Sequence, residues 1–268
     1  MTILEEIVAQ KKLHIAQCQQ ITPYSALEQR AKNQLPPVST RQSILNTPFP
    51  AFITEFKRKS PSKGWINADA DLQTVVAGYA QAGAVAISVL TDTSFFGGKD
   101  QDLEQARQKV NTPLLRKDFM LDEYQILEAR ALGADLILLI AACLTPQVSL
   151  RLAQFVKSLG MEVLLEVHNE AELQSHLNPS VDLVGVNNRN LHTFHTSIDT
   201  SLALAEQIPA EFIKVSESGL SQPESIVQLS KAGFQAFLIG ENFMRAAEPA
   251  AACIQFKQAV ESALLSIS

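Results

Sequence analysis

Cysteine is scarce in this chain of 268 residues: Cys18, Cys143 and Cys253 lie far apart and form no CxxC pair. That pattern offers neither a zinc knuckle nor a disulfide framework. Reduced thiols in a cytoplasmic protein are the expectation. No stretch approaches the roughly 18 consecutive apolar residues of a membrane-spanning helix. Positive charge is short as well. The 22 Lys and Arg face 28 Asp and Glu, a formal net charge of −6, so no sequence-wide basic field exists for nucleic acid or an anionic membrane. An anionic ligand must therefore be held by a local site. With 11 Gly and 12 Pro the chain is too poor in both for a collagen-like or linker-like protein. What remains, at 46% hydrophobic residues, is the composition of a folded, soluble protein.

The first dozen residues lack the basic and apolar regions of a secretory signal, and Glu5 with Glu6 argues against a transit peptide. Ile3, Leu4, Ile7 and Val8 recur at helical spacing instead, which predicts a short amphipathic helix docking on the protein itself. Residues 1–50 also carry Pro23, Pro36, Pro37, Pro48 and Pro50. They are expected to form one or two helices and an irregular connector placed across one end of the main body.

From residue 51 onward, short runs rich in Val, Ile and Leu alternate with longer segments of helical periodicity, the signature of repeated βα units. Candidate strands fall at 51–57, 84–90, 112–116, 134–140, 161–166, 183–187, 212–216 and 235–239. Gly83, Gly133, Gly160 and Gly233 each precede one of them, as a helix stop feeding a strand should. Eight units predict an α/β fold of the (β/α)8 TIM-barrel type, residues 51–268, with residues 1–50 as an N-terminal helical extension of the same domain. An open doubly wound sheet is the alternative. Against it stand the missing GxGxxG after the first strand and the polar residues at nearly every strand end.

In such a barrel the carboxyl ends of the strands line a shared mouth. Glu55 and Lys57, two apart on the first strand, share a face. The third strand runs into Lys117-Asp118, the fifth ends at Glu166, the sixth at Asn187 with Arg189 just beyond, and the seventh at Glu217-Ser218-Gly219. Converging Lys and Glu side chains make an acid and base set. Taken singly, Glu55 with Lys57 reads equally as a structural ion pair and Lys117-Asp118 as a solvated loop. Burying all of these charges for stability alone would be costly, since each ion loses several kcal/mol of hydration. The loops after the seventh and eighth strands, Ser218-Gly219 and Gly240-Glu241, stand where barrels commonly bind phosphate through backbone N–H groups. His192 and His195 lack a third metal ligand and read as loop residues, so no metal is expected. His168 reads as structural or surface, and Cys143 as a buried filler.

Seven ordered segments carry a resemblance: ITEFKRKSPSKG at 53–64, SVLTDTSFFG at 88–97, LRKDF at 115–119, LLEVH at 164–168, GVNNRNL at 185–191, VSESG at 215–219 and IGENFM at 239–244. Together they are similar to the motifs of the indole-3-glycerol phosphate synthase family. The resemblance covers the whole chain, including the N-terminal helix. It implies conversion of 1-(2-carboxyphenylamino)-1-deoxyribulose 5-phosphate, a small anionic substrate derived from anthranilate, into indole-3-glycerol phosphate with loss of CO2 and water and with no cofactor. It further implies Lys117 as general acid for ring closure, with Glu55, Lys57 and Glu166 for dehydration and Asn187 and Ser218 holding substrate. Ser60 and Arg189 would lie at the anthranilate carboxylate, and Phe96, Phe119, Leu138, Ile140 and Leu191 around the ring. Phosphate would meet Lys57, Ser218, Gly219, Gly240 and, through its backbone, Glu241, where some members place Ser. The alternatives are another phosphate-binding barrel enzyme, such as phosphoribosylanthranilate isomerase, and a barrel that binds without catalysis.

Overall fold

The computed structural model describes residues 2–47, 50–191 and 193–266. Eight parallel strands close into a barrel: β1 (Ala51–Phe56), β2 (Ala86–Leu90), β3 (Leu114–Lys117), β4 (Leu136–Ile140), β5 (Glu162–Val167), β6 (Leu183–Asn187), β7 (Ile213–Glu217) and β8 (Ala236–Ile239). β1 pairs with β2 on one side and with β8 on the other. Each strand lies within two residues of its predicted limits. The four predicted stop glycines all carry positive φ, 77° to 94°, a backbone shape that residues with a Cβ rarely adopt.

Alternation along the strands sorts the side chains into two shells. Ala51, Ile53, Leu115, Leu136, Leu138, Leu164, Leu183, Ile213, Val215, Ala236 and Leu238 pack together inside the barrel. Their neighbours, among them Phe52, Val89, Leu139, Leu165, Val186 and Phe237, pack outward on the surrounding helices. No helix among the described residues is long and apolar enough to cross a membrane.

The N-terminal extension departs from expectation in helix count and in course. It forms three helices, α1 (Ile3–Ile21), α2 (Tyr24–Lys32) and α3 (Thr40–Asn46), and it reaches both ends of the barrel. Thr2 and Glu5 cap α1 reciprocally, and Ile7, Lys11 and Ile15, four residues apart, form its buried face. Ile3, Leu4 and Ile7 line the barrel mouth. Below the mouth, Leu27 and Ala31 of α2 pack with Tyr124, Leu127 and Ala131 on the flank. Ile44 of α3 then joins Ala51 and Val85 at the opposite end, where the Arg41 backbone N–H donates to Glu162 at 3.0 Å. The connector leaves the mouth because α2 finds its apolar partner on the side of the barrel. Of the predicted prolines, Pro48 lies outside the described residues.

Lys11 is the anchor of α1. Its ammonium lies 2.8 Å from Asp92 and 2.7 Å from Asp118, all three almost fully buried. Burial alone would depress the lysine pKa, but the two carboxylates outweigh it and hold the pKa above the ordinary value. Lys11→Met removes the cation and leaves two carboxylates in a dry place. It is expected to cost about 3 kcal/mol or more of unfolding free energy, measured by denaturant titration. A loss within experimental error would show that the pair is not what seats the helix.

Candidate active site

Five of the eight inward rows of apolar residues end at the mouth in a polar one. Ile53 is followed two residues on by Glu55, Leu115 by Lys117, Leu164 by Glu166, Leu183 and Gly185 by Asn187, and Val215 by Glu217. Strand register brings them level, with Asn187 opposite Glu217 and Ile140 opposite Glu166. A cavity of about 370 Å³ opens above this layer. Every residue predicted for the site lines it: Glu55, Lys57, Ser60, Phe96, Lys117, Phe119, Leu138, Ile140, Glu166, Asn187, Arg189, Leu191, Ser218, Gly219, Gly240 and Glu241.

Lys117 stands at the centre of the floor. Its Nζ lies 2.9 Å from Glu166 Oε2 and 2.9 Å from Glu217 Oε2. Burial depresses its pKa, and the carboxylates of Glu166, Glu217 and Glu55 more than reverse the effect. Glu166 is pushed up by burial, but Lys117, His168 and a hydrogen bond from Asn187 Nδ2 at 3.0 Å leave it below the ordinary carboxylate range. Glu217 comes out the other way. Burial and the neighbouring carboxylates exceed the pull of Lys117, and its pKa is raised to about 7. One lysine thus sits between an ionised carboxylate and one that titrates near neutrality.

Glu55 and Lys57 form a 2.6 Å pair at the rim, and Ser88 Oγ lies 3.4 Å from the same carboxylate. The ion pair read from spacing exists, and it lies inside the cavity. Asp118 takes a different path from its neighbour Lys117. Far from solvated, it is buried against Lys11 and accepts from Thr91 Oγ1 at 2.6 Å.

Arg189 closes one wall. Its Nη1 donates to Ser62 Oγ at 2.7 Å and its Nη2 lies 3.5 Å from Glu241. Its Nε and the Ser60 hydroxyl are buried without hydrogen-bond partners among the described residues, as donors awaiting an anion would be. The Phe96 and Phe119 rings stand 6.1 Å apart. At the loop after β7, Ser218 and Gly219 take successive left-handed conformations, φ 70° and 72°, and Asn188 Nδ2 holds the Ser218 carbonyl at 3.1 Å. Gly240 serves by its smallness, because a Cβ there would collide with the Glu55 carboxylate.

Two residues were missed by sequence reasoning. Glu217 ends the seventh strand two positions beyond inward-facing Val215, and that strand parity is the signal that marks it beside the expected Ser218 and Gly219. His168, read as structural or surface, touches both Glu166, two residues before it, and Glu172, four after it; the spacing of two from Glu166 is the local signal that places it toward the same mouth. Cys143 is half-buried against the barrel interior, with burial pushing its thiol up to about 12, so it behaves as the expected filler. His195 lies in the exposed loop after β6, and His192 falls outside the described residues.

The family model for indole-3-glycerol phosphate synthase matches residues 4–256. This chain belongs to the indole-3-glycerol phosphate synthase family. A curated indole-3-glycerol phosphate synthase from Bacteroides thetaiotaomicron is 43% identical over 259 residues, covering 97% of this chain and 99% of the relative. One from a Polaromonas species is 44% identical, covering 94% and 97%. Solved structures share the barrel. A 3-hexulose-6-phosphate synthase from Salmonella typhimurium aligns with a TM-score of 0.63 at 12% identity, over 79% of this chain and 99% of that one. A thiamine phosphate pyrophosphorylase from Pyrococcus furiosus aligns with a TM-score of 0.60 at 13% identity, over 84% and 100%. At such identities the likeness is one of fold alone. Membership of the synthase family selects among the barrel enzymes considered from sequence.

The electrostatics of the floor are open to direct measurement. The Glu217 carboxyl should titrate near pH 7, against ~4.3 for a free glutamate, and Lys117→Met should move it higher, since the ammonium is what holds it down. Carboxyl-labelled NMR reads both values. A wild-type midpoint in the ordinary range, or a fall in the variant, would contradict the arrangement.

Proposed function

We propose that this site converts 1-(2-carboxyphenylamino)-1-deoxyribulose 5-phosphate into indole-3-glycerol phosphate, a carboxy-lyase reaction of tryptophan biosynthesis, in the cytoplasm and without a cofactor. The observation that carries the reading is the Lys117 ammonium, held between two carboxylates on the floor of a cavity whose walls join apolar residues to anion donors. The domain we assign is the whole chain, 1–268, because α1 supplies part of the cavity wall.

The substrate offers three handles. Its anthranilate carboxylate fits the unpartnered donors of Arg189 and Ser60, with a planar guanidinium suited to a carboxylate. Its ring fits between Phe96, Phe119, Leu138, Ile140 and Leu191. Its phosphate fits the loops after β7 and β8, where Ser218, Gly219 and Gly240 present backbone N–H groups and Lys57 stands nearby. Glu241 faces Arg189 and Arg245, so its contribution is its backbone.

Bound this way, the ketone lies over Lys117. As the carboxylate-bearing ring carbon attacks the ketone, Lys117 protonates the oxygen. Loss of CO2 restores the aromatic ring. Dehydration then needs an acid at the departing hydroxyl and a base for the proton released as the indole forms, and Glu55, Lys57 and Glu166 surround that position. Glu217, poised near neutrality beside Lys117, is suited to exchanging protons with it.

The decisive assay is incubation of the folded protein with the carboxyphenylamino-deoxyribulose phosphate while indole fluorescence is followed. Absence of product sinks the reading. Lys117→Met keeps the stem and removes the donor, and should lower kcat by about 10²-fold or more with a modest change in KM. Near-normal kcat would move the acid to Lys57.

The phosphate handle makes a separate prediction. Inorganic phosphate should inhibit competitively, and Gly219→Val should weaken substrate binding more than Glu241→Ala. Gly219 has φ 72°, and a Cβ there would collide with Thr196, whereas trimming Glu241 leaves its N–H in place. Abolition of binding by Glu241→Ala alone would place the handle on side chains.

A further inference from the structure

The proposed reaction does not conserve protons. The ketone oxygen gains one proton at ring closure, the departing hydroxyl gains a second, and one returns to the protein as the indole becomes aromatic. The carboxylate carbon leaves as neutral CO2, its bonding pair staying with the ring. Each turnover therefore draws one proton from solvent, and it must reach Lys117 while substrate fills the mouth above.

Glu166 has a second face. Its Oε2 meets Lys117 at 2.9 Å, and its Oε1 lies 3.4 Å from His168 Nε2. The other imidazole nitrogen, Nδ1, is 3.1 Å from Glu172 Oε2, a carboxylate that also accepts from the His168 backbone N–H at 2.8 Å. Side-chain exposure rises outward along the row, from 4% at Glu166 to 11% at His168 and 20% at Glu172. His168 and Glu172 line a second cavity of about 640 Å³, which Asn187 and Arg189 divide from the first. Within the described residues His168 Nε2 makes no hydrogen bond, so no other acceptor competes with Glu166 for its proton, and the 3.4 Å approach must tighten for the proton to cross.

We propose that His168 is the proton relay of this site, carrying a proton from the second cavity to Glu166, which hands it to Lys117. This rests on the reaction proposed above. In the step, the N–H bond at His168 Nε2 breaks as an O–H bond forms on Glu166. Glu166 then protonates the neutral Lys117 amine; the neutral imidazole keeps its Nδ1–H against the Glu172 carboxylate and, once the ring turns toward the second cavity, is reloaded at Nε2 by a proton from water. Imidazole suits the task because its charged and neutral forms interconvert close to physiological pH. Burial would lower its pKa, but the bond to Glu172 and the charges of Glu166, Glu172 and Glu217 outweigh that and hold it above the ordinary value, which favours the protonated ring. Among the described residues, Glu5 of α1, Arg189 and His195 are the other charged or titratable groups around the second cavity.

A relay that refills the site is separable from a residue that shapes it. With enzyme in excess, a single turnover spends the proton already on Lys117. With substrate in excess, every later turnover waits for the relay. His168→Gln should leave the first turnover at the wild-type rate and slow the steady state by about tenfold, with the gap widening as pH rises. Imidazole in the buffer should restore the steady state of His168→Ala. Glu172→Gln carries the same comparison of first and later turnovers, and serves if the histidine variants fail to fold. A wild-type protein that makes no product would sink the reaction, and the relay with it. An active wild type overturns the relay alone if the variant's steady state is unchanged, or if its first turnover is slowed as much as the rest.

Discussion

A lysine ammonium buried between two glutamates is the constraint around which the molecule is arranged. Removing such an ion from water costs several kcal/mol even after relaxation, and the cost is offset only when counter-charges sit at hydrogen-bond distance with good geometry. Lys117 meets that condition at 2.9 Å on two sides. The three groups come from β3, β5 and β7, strands that never touch one another in the barrel, so their spacing is set by closure of the whole sheet and by the tightness of the apolar layers beneath. The same tightness supplies fixed charge in a dry place, which stabilises developing charge without the reorganisation that water would need.

Smallness at chosen points allows those charges to fit. A Cβ on Gly185 would come within 2.7 Å of Glu217 Oε1, so the sixth strand gives up a side chain where the seventh needs room for a carboxylate. Gly240 does the same for Glu55. Both are inward positions at the mouth, where apolar filling gives way to chemistry, and both are glycines for space alone. Gly219 is different, because its backbone itself lies in the left-handed region.

What was legible in the sequence follows from locality. Strands and helix stops depend on runs of a few residues, and the alternation that lines Glu55 and Lys57 on one face also places Lys117, Glu166 and Asn187. The course of residues 2–47 was not legible. Lys11 finds Asp92 and Asp118, and Arg41 finds Glu162, and nothing local to either end of such a pair announces the other. Glu217 and His168 fall between these cases. Strand parity points Glu217 inward, but the raised pKa that distinguishes it comes from burial, with Glu166 and Glu55 adding to it and Lys117 opposing. His168 has Glu166 two residues away in the chain, and gains Glu172 when the helix Glu170–His176 folds back over the end of β5.

The placement of the charged floor also divides the barrel unequally. Taken as halves, β1 to β4 bring Lys57, Lys63 and Lys117 to the mouth against Glu55 and Asp118, and β5 to β8 bring Glu166, Glu217 and Glu241 against Arg189 and Arg245. The ammonium of Lys117 finds both of its hydrogen-bonded carboxylates in the opposite half. Neither half is electrostatically complete apart from the other, so the charges that serve the chemistry also attract the two halves across the barrel mouth.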